Sequence, residues 1–283
     1  MKVLEPLKKV DIEEVFKSKN SGLYKLLPGF VFVLLRKIIH ENAINDFLYK
    51  NEDQQGVDFA KKIVDYFAIN LVLKGIENIP DSGGCIIVSN HPIGSLDAMA
   101  LVVAVSKRRK DIKFLVNDVL MNLENLRGIF VPVNKHGKTP SHTLREMETI
   151  YASDQAIMVF PAGLVSRKSN GKIRDLEWKK SFVSRAKKHH RPIVPVFISG
   201  RNSNFFYNLG NLRKWLGIKM NLEMLFLVNE TFSHRNNTIT LIFGEPIVAS
   251  HITSQESDHI FAEKIRQHVY QMGSVGMPLS FHG

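Results

Sequence analysis

The chain has 283 residues, 44% of them hydrophobic, which suffices for one large α/β domain with a sizeable core. The single cysteine, Cys85, excludes a disulfide framework and indicates a reducing compartment, and we interpret it as a small buried hydrophobe rather than a nucleophile. The formal net charge of +11 indicates an anionic partner. Nucleic acid, anionic lipid headgroups, an acidic carrier protein and a phosphate-bearing coenzyme all remain open on charge alone.

The N-terminal region, residues 1–66, is predicted to be helical and basic. Asp11 is predicted to cap its first short helix. A single helix is predicted over residues 29–49, with one strongly apolar face that could either cover the core or lie in the headgroup layer of a membrane. Its longest apolar run, residues 30–35, is far shorter than the roughly 20 residues of a bilayer span. Because residues 1–11 also lack a signal-peptide pattern, we expect the protein to be neither integral nor exported.

Beyond residue 66, apolar strand-like runs alternate with helical segments. The predicted strands span residues 68–74, 85–89, 113–116, 129–133, 156–160, 192–198, 223–228 and 238–243. The predicted helices span residues 57–67, 96–105, 119–126, 139–153, 178–190, 205–216 and 257–272. This alternation predicts an α/β fold, a single mixed, largely parallel sheet flanked by helices, with an N-terminal helical extension. We therefore predict two regions, a helical candidate for membrane association over residues 1–66 and the α/β domain over residues 67–283.

Residues 89–97 join a predicted buried strand to a predicted helix through a tight loop that contains Pro92 and Gly94. The strand end carries His91 and the helix start carries Asp97, so both side chains are expected at the sheet edge where α/β proteins usually place their chemistry. A carboxylate on the Nδ1–H of a histidine fixes its tautomer and stabilises the imidazolium. We interpret His91 as a general base and Asp97 as its orienting partner, with a purely structural histidine as the alternative.

A second loop, residues 160–168, also follows a predicted buried strand. Gly163 permits close approach of the backbone to a ligand. Arg167 and Lys168 then present two cations suited to a phosphate or a carboxylate, although a solvated basic turn has the same composition. Lys135, which follows another predicted strand, is a further candidate for anion contact.

Several other chemistries lack support in the sequence. There is no Gly-x-Ser-x-Gly nucleophile elbow, no phosphate-binding P-loop, no Gly-x-Gly-x-x-Gly after a strand and no His/Cys spacing typical of zinc. We therefore expect neither a bound metal nor a resident cofactor.

The order and spacing of these motifs resemble the glycerolipid acyltransferase superfamily, which contains glycerol-3-phosphate and 1-acylglycerol-3-phosphate O-acyltransferases. The matching motifs are Asn90-His91 through Asp97, Phe160-Pro161-Ala162-Gly163 with Ser166-Arg167, and Val194-Pro195-Val196, within residues 70–245. Two departures are informative, because five residues rather than four separate His91 from Asp97, and Ala162 stands where the superfamily commonly has Glu. Both departures resemble the bacterial branch often labelled hemolysin-like, which includes O-acyltransferases that finish ornithine and glycine lipids.

The resemblance implies an O-acyl transfer in which His91 takes the proton of an acceptor hydroxyl as that oxygen attacks an acyl thioester of acyl carrier protein or coenzyme A. Asp97 would hold His91, and backbone N–H groups near Gly94 or Gly163 could stabilise the oxyanion. The predicted substrate-binding residues are Asn90, Gly94, Lys135, Phe160, Pro161, Gly163, Ser166, Arg167 and Lys168. The absence of the usual Glu favours a mono-acylated amino acid as the acceptor, with 1-acylglycerol-3-phosphate as the alternative.

A lyso-lipid acceptor implies a peripheral location on the inner face of the cell membrane, where a basic protein gains about 1 kcal/mol per Lys or Arg near an anionic surface. We expect the helix at residues 29–49 and the basic cluster at residues 107–110 to face that surface, and we expect no nucleic acid as a partner. The alternative from another class is a non-enzymatic basic protein of the lipid-binding or hemolysin type.

Overall fold

A computed structural model describes residues 10–19, 21–117, 121, 123–133, 141–248, 250 and 256–281. The chain divides into two compact units. The larger unit comprises Gln55–Asn202 and His234–Gly283, and the smaller unit comprises the chain up to Gln54 together with Ser203–Ser233. The division predicted at residue 66 stays a prediction, and Lys135, predicted to contact an anion, lies outside the described residues.

Seven strands of the larger unit form one sheet, and two short strands form a hairpin. The strands are β1 Asn70–Lys74, β2 Cys85–Ser89, β3 Ile112–Asn117, β4 Phe130–Val133, β5 Ala156–Val159, β6 Arg167–Ser169, β7 Lys172–Arg174, β8 Ile193–Ile198 and β9 Thr238–Phe243. The order in the sheet is β1-β9-β8-β2-β5-β3-β4, with β6 and β7 in the hairpin. Neighbours in the sheet are parallel, except that β8 and β9 are antiparallel. The predicted single, mixed and largely parallel sheet is therefore confirmed.

Helices of the larger unit flank this sheet, as predicted. The helices are α1 Ile12–Lys19, α2 Ser21–Leu26, α3 Gly29–Ile38, α4 Glu41–Lys50, α5 Gly56–Tyr66, α6 Ser95–Val105, α7 Ser141–Ala152, α8 Ser181–Lys188, α9 Asn204–Trp215, α10 Leu227–Ser233 and α11 Asp258–Val275. Asp11 caps α1 as predicted, its carboxylate accepting two backbone N–H groups of the first turn. None of the helices within the described ranges combines the length and the hydropathy that a membrane span requires.

The central strand β2 fixes the position of the loop that carries His91. It lies between β8 and β5 and is buried at all five residues, as expected for a parallel strand covered on both faces. Alternation along the strand places Ile86 and Val88 in the cluster that includes Trp178 and Phe182. The helix α6, which follows the His91 loop, contacts β1, β9 and α5. The His91 loop is therefore anchored at both ends by fully packed elements.

The helix predicted over residues 29–49 is in fact two helices, α3 and α4. The break falls at His40, which adopts a left-handed backbone conformation with φ of 51°. Its ring stacks on Phe232 at a centroid distance of 3.9 Å, and its Nε2 lies 3.0 Å from Asn229 Oδ1. Because Asn229 is 189 residues away in the sequence, no local pattern around His40 predicts the break.

The strand predicted over residues 223–228 is wrong. Leu222–Phe226 form a 3-10 helix that leads directly into α10. Glu223 is fully buried there and pairs with Arg213, whose Nε lies 2.8 Å from the Glu223 carboxylate. A short apolar run does not distinguish a strand from a buried helical segment, and here a buried ion pair selects the helical form.

The β6–β7 hairpin was not predicted, although its turn has a sequence signal. Asn170 and Gly171 connect the two strands with positive φ values of 49° and 74°. An Asn-Gly pair between strands is a strong short-range signal for this turn, because both central residues must adopt positive φ. The hairpin holds Arg167 and Lys168, so the second predicted loop ends in a defined strand rather than in an open turn.

The basic cluster at residues 107–110 does not face solvent as a whole. Arg109 is only 2% exposed, and its guanidinium donates to the Asp111 carboxylate and to the backbone carbonyls of Pro80 and Gly83. The expectation that this cluster faces a membrane is therefore wrong for Arg109, which joins two loops of the larger unit.

Candidate active site

The loop that carries His91 is closed by the carboxylate of Asp97. The loop ends at Gly94, whose φ of 135° and ψ of −127° suit only glycine. Asp97 lies in the first turn of α6, and its Oδ2 accepts the backbone N–H groups of Ile93 at 2.8 Å and Gly94 at 3.0 Å. A carboxylate at this position also interacts favourably with the helix N-terminus.

The same oxygen of Asp97 holds the catalytic candidate His91. The Nδ1 of His91 lies 3.0 Å from Asp97 Oδ2, and the imidazole stacks on Phe160 at a centroid distance of 4.0 Å. Asp97 is fully buried, whereas the side chain of His91 is 17% exposed. Because a carboxylate only accepts hydrogen bonds, Nδ1 carries the proton, and Nε2 is the basic nitrogen. The juxtaposition of His91 and Asp97 agrees with the sequence prediction.

The second oxygen of Asp97 has a different environment. Asp97 Oδ1 is buried and has no hydrogen-bond partner among the described residues. The amide of an asparagine could therefore place its oxygen at the Oδ2 position and its nitrogen at the Oδ1 position without displacing a donor. Because of this difference between the two oxygens, the substitution Asp97→Asn can remove the negative charge and keep the hydrogen bonds that Oδ2 accepts.

Asp175 is a residue of this site that the sequence reasoning missed. Its buried carboxylate accepts hydrogen bonds from Ser166 Oγ at 2.6 Å, from Trp178 Nε1 at 2.9 Å and from the His91 N–H at 3.2 Å. The Ser166 N–H in turn donates to the His91 carbonyl at 2.7 Å. The N–H of His91 is therefore held by Asp175, and its carbonyl is held by Ser166.

Burial raises the pKa of Asp175 above its ordinary value, and the hydrogen bonds from Ser166, Trp178 and His91 oppose that rise. The signal in the sequence is weak, because an isolated aspartate after a hairpin is usually a surface residue. The contact between Asp175 and His91 joins residues that are 84 positions apart. Only the fold brings them together.

The predicted substrate-binding residues on the His91 side prove to be engaged within the protein. The carboxamide of Asn90 donates to the Ile198 carbonyl at 2.8 Å and accepts the Ile198 N–H at 2.7 Å, which joins the ends of β2 and β8. The N–H of Gly94 donates to Asp97, and the N–H of Gly163 donates to the Phe160 carbonyl at 3.0 Å. The N–H groups of Gly94 and Gly163 themselves thus already have acceptors, and stabilisation of an oxyanion by backbone N–H groups near them stays a prediction.

The second predicted loop contributes packing and one partly exposed cation. Phe160 covers one face of the His91 ring, and Pro161 is buried next to it. Arg167 is 6% exposed, and its guanidinium donates to the carbonyls of Val165 at 2.7 Å and Ser166 at 3.3 Å. Lys168 is half-buried. An anion contact by Arg167 or Lys168 stays a prediction.

A cavity of about 320 Å³ adjoins the His91 loop within the larger unit. Its lining residues are Asn90, Pro92, Ser166, Ile173, Phe197, Ile198, Gly200, Arg201, Tyr270, Gly273 and Ser274. The exposed side chain of Arg201 has no carboxylate partner within the described ranges, and none of the lining residues is acidic. The Tyr270 hydroxyl accepts the Asp175 N–H at 2.6 Å, and the Arg174 guanidinium lies 5.0 Å from the Tyr270 ring centroid. The cavity is therefore apolar at its walls and cationic at one side.

The thiol of the single cysteine, Cys85, is buried in the core. Burial raises the pKa of the Cys85 thiol to about 11, so the thiol is neutral and behaves as a core residue. In the part of the chain that the structure describes, no group of three or more His, Cys, Asp or Glu side chains is arranged to hold a metal ion.

The structure thus presents a hydrogen-bonded His–Asp pair beside the end of a central strand, an arrangement in which a histidine can accept a proton. The chain belongs to the acyltransferase family, because the family model described as Acyltransferase matches residues 14–275. It is therefore an enzyme that transfers acyl groups, as the resemblance to the glycerolipid acyltransferase superfamily implied.

Two curated relatives cover nearly the whole chain. The lyso-glycine lipid O-acyltransferase of Phocaeicola vulgatus is 40% identical over 264 residues, which is 93% of this chain and 95% of that protein. The lyso-glycine lipid O-acyltransferase of Bacteroides thetaiotaomicron is 41% identical over 264 residues, with 93% and 97% covered. Among solved structures, the 1-acyl-sn-glycerophosphate (LPA) acyltransferase PlsC from Thermotoga maritima matches with a TM-score of 0.48 at 18% identity, covering 86% of this chain and 96% of that chain.

Proposed function

We propose that this enzyme transfers a fatty acyl group from a thioester to a hydroxyl of a lyso-lipid whose headgroup is glycine, with His91 as the general base. The contact between His91 Nδ1 and Asp97 Oδ2 at 3.0 Å carries the catalytic part of this proposal. The two relatives named lyso-glycine lipid O-acyltransferase support the acceptor.

The structure of glycine limits where an O-acyltransferase could acylate this acceptor. Glycine has no hydroxyl, so O-acylation of a lyso-glycine lipid must occur on a hydroxyl of the acyl chain that is linked to the glycine nitrogen. Acylation of that nitrogen removes its charge, so a single carboxylate remains on the headgroup. An ornithine headgroup would carry an additional side-chain amine.

The cavity beside the His91 loop suits a headgroup with one negative charge. Arg201 supplies one exposed cation without a carboxylate partner in the described ranges, and a guanidinium binds a carboxylate through two parallel N–H donors. None of the lining residues is acidic, so the second amine of an ornithine headgroup would find no counter-charge there. These features favour glycine over ornithine, and they make Arg201 a stronger candidate for the anion contact than the buried Arg167.

The proposed reaction proceeds through His91 Nε2. This nitrogen takes the proton of the acceptor hydroxyl while the hydroxyl oxygen bonds to the thioester carbonyl carbon, and Asp97 stabilises the imidazolium that forms. Collapse of the tetrahedral intermediate breaks the carbon–sulfur bond, and the imidazolium returns the proton to the leaving sulfur. The products are an ester and a free thiol, with His91 restored to its neutral form.

The thioester carrier is an acyl carrier protein or coenzyme A, and both are anionic. The net charge of +11 supports either donor, and it also supports peripheral association with the anionic inner face of the cell membrane, where the acceptor would reside.

The purified enzyme would test this function with acceptors presented in detergent micelles. We expect acyl transfer from acyl carrier protein or coenzyme A thioesters to lyso-glycine lipid with a higher kcat/KM than to lyso-ornithine lipid or to 1-acylglycerol-3-phosphate. A preference for 1-acylglycerol-3-phosphate would overturn the proposed acceptor. Absence of thioester consumption with every acceptor would instead favour a non-enzymatic lipid-binding protein.

A further inference from the structure

A second feature of the molecule lies in the smaller unit, at the end of α9. Residues 215–220, which we name the apolar tip, begin at the last residue of this helix and continue into the loop after it. The side chains of Trp215, Leu216, Ile218 and Met220 are 80%, 55%, 37% and 63% exposed. Four large apolar side chains are thus exposed within six residues, and concentrations of exposed apolar surface are typical of interaction sites.

The apolar tip is a defined loop and not an open end. Gly217 adopts a left-handed conformation with φ of 70°, and the Ile218 N–H donates to the Arg213 carbonyl at 3.0 Å, which ends α9. The buried guanidinium of Arg213 donates to the Ile218 carbonyl at 2.8 Å and is itself held by the fully buried Glu223. A buried ion pair thus fixes a backbone whose apolar side chains point to solvent.

The composition of the apolar tip matches one kind of partner. Lys214 and Lys219 are exposed beside the apolar side chains, and residues 214–221 contain no acidic residue. An aromatic residue with a polar edge, aliphatic side chains and flanking lysines together suit the headgroup layer of an anionic bilayer. The net charge of +11 is complementary to such a surface.

We propose that the apolar tip docks the enzyme on anionic lipid bilayers by inserting Trp215 and its neighbours into the headgroup layer. This inference rests on the proposed function in one respect, because a lipid acceptor gives the enzyme a reason to bind a bilayer. The proposed docking by the apolar tip is distinct from the expected membrane contact of residues 29–49, because the two segments lie in separate parts of the sequence. Residues 29–49 also expose large apolar side chains, Phe30 and Leu34 among them.

The two tryptophans of the chain allow a direct test. Trp178 is 1% exposed in the core, whereas Trp215 is 80% exposed. We expect the emission of the full-length protein to shift to shorter wavelength when vesicles of phosphatidylethanolamine and phosphatidylglycerol are added, and to be quenched by brominated acyl chains. The variant Trp215→Phe should lose both responses. An unchanged emission in the wild type, or the same response in Trp215→Phe, would overturn the proposal.

Vesicle co-sedimentation adds a matched control. We expect the double variant Trp215→Ser/Met220→Ser to bind these vesicles at least about 10-fold more weakly, because it removes most of the insertable apolar surface. Ile260→Ser removes a side chain that is 50% exposed on α11 of the larger unit, and it should bind as the wild type does. Equal losses in the two variants would contradict the proposal, as would self-association through the apolar tip in the absence of vesicles.

Activity in detergent micelles separates this proposal from the proposed function. We expect the Trp215→Ser/Met220→Ser variant to retain wild-type acyl transfer to micellar acceptor while it loses activity on vesicle-bound acceptor. If the wild type transfers no acyl group in micelles, the proposed function fails, and vesicle binding still decides the role of the apolar tip. Loss of micellar activity in the double variant with normal vesicle binding would contradict the docking role.

Discussion

The His91 loop and the apolar tip are both held by buried charged side chains, but the first fixes a histidine side chain and the second exposes apolar side chains. Around His91, the buried carboxylates of Asp97 and Asp175 take up backbone and side-chain donors, so that one imidazole is held in one orientation. At the apolar tip, the buried Arg213–Glu223 pair holds the backbone through the Ile218 carbonyl, while the apolar side chains are exposed. A buried charge can therefore serve either to hold a histidine side chain in one orientation or to hold a loop that exposes apolar side chains.

The largest expected effect is on the proposed general base, His91. His91→Ala removes the group that we propose takes the proton, so kcat should fall by about 10²–10⁴-fold, the usual contribution of general-base catalysis. The fold should persist, because the loop is closed by Asp97 through backbone N–H groups that the substitution leaves in place. Steady-state rates with purified protein, compared at matched circular dichroism, check this. Near-normal turnover would remove His91 from the mechanism.

The next effect separates the charge of Asp97 from its hydrogen bonds. Asp97→Asn can place its oxygen where Oδ2 accepts, so it should keep the loop closed, although its amide nitrogen would be buried at the Oδ1 position with no acceptor among the described residues, while kcat falls by roughly 10–10²-fold. Asp97→Ala also removes the acceptor of the Ile93 and Gly94 N–H groups, so this variant should unfold at a lower temperature than Asp97→Asn. Equal unfolding temperatures for the two variants would contradict this reading of the loop.

A smaller effect is expected at the cavity. Arg201→Ala should raise the acceptor KM by about 10-fold with little change in kcat, because a lost charge-assisted contact to a bound carboxylate weakens ground and transition states alike. Lys168→Ala and Arg167→Ala provide the comparison, since the sequence predicts that they bind this anion. A larger rise in KM for either of them than for Arg201→Ala would move the anion contact to the β6–β7 hairpin.

The smallest effect concerns stability and pH. Because burial raises the pKa of Asp175 above 3.8, the native protein holds this proton to higher pH than the unfolded chain does. The free energy of unfolding contributed by Asp175 therefore falls as pH rises from about 4 towards the raised native pKa. Denaturant unfolding at a series of pH values should show a less negative slope in Asp175→Asn than in the wild type. An identical slope would mean that Asp175 does not titrate differently in the folded state.

The sequence predicted the parts of this molecule that local patterns determine. The strand over residues 238–243 has the predicted bounds, and the strand–loop–helix around His91 places His91 and Asp97 in contact as expected. The sequence also predicted that Arg167 presents a cation to an anion, whereas its guanidinium is buried and donates to a carbonyl of its own loop, so that contact stays a prediction. Hydropathy alone could not predict the burial of Arg167, because arginine is usually a surface residue and is buried only where it has partners.

Other features depend on partners far away in the chain. The role of Asp175 follows from its contact with His91, and the break at His40 follows from its stacking on Phe232. Neither contact leaves a periodic pattern, so neither can be read from a window of neighbouring residues. The β6–β7 turn is different, because Asn170 and Gly171 are a local signal that was present in the sequence.

The most direct test of the central claim is a double-mutant cycle on His91 and Asp97. If Asp97 acts only by holding and stabilising the imidazole, the double variant His91→Ala/Asp97→Asn should have the same kcat as His91→Ala alone, because residues that act as a unit are not additive. The measurement is the rate of ester formation from a thioester and lyso-glycine lipid in detergent micelles. A double variant slower than His91→Ala by the full effect of Asp97→Asn would show that the two residues act independently, and it would contradict the account.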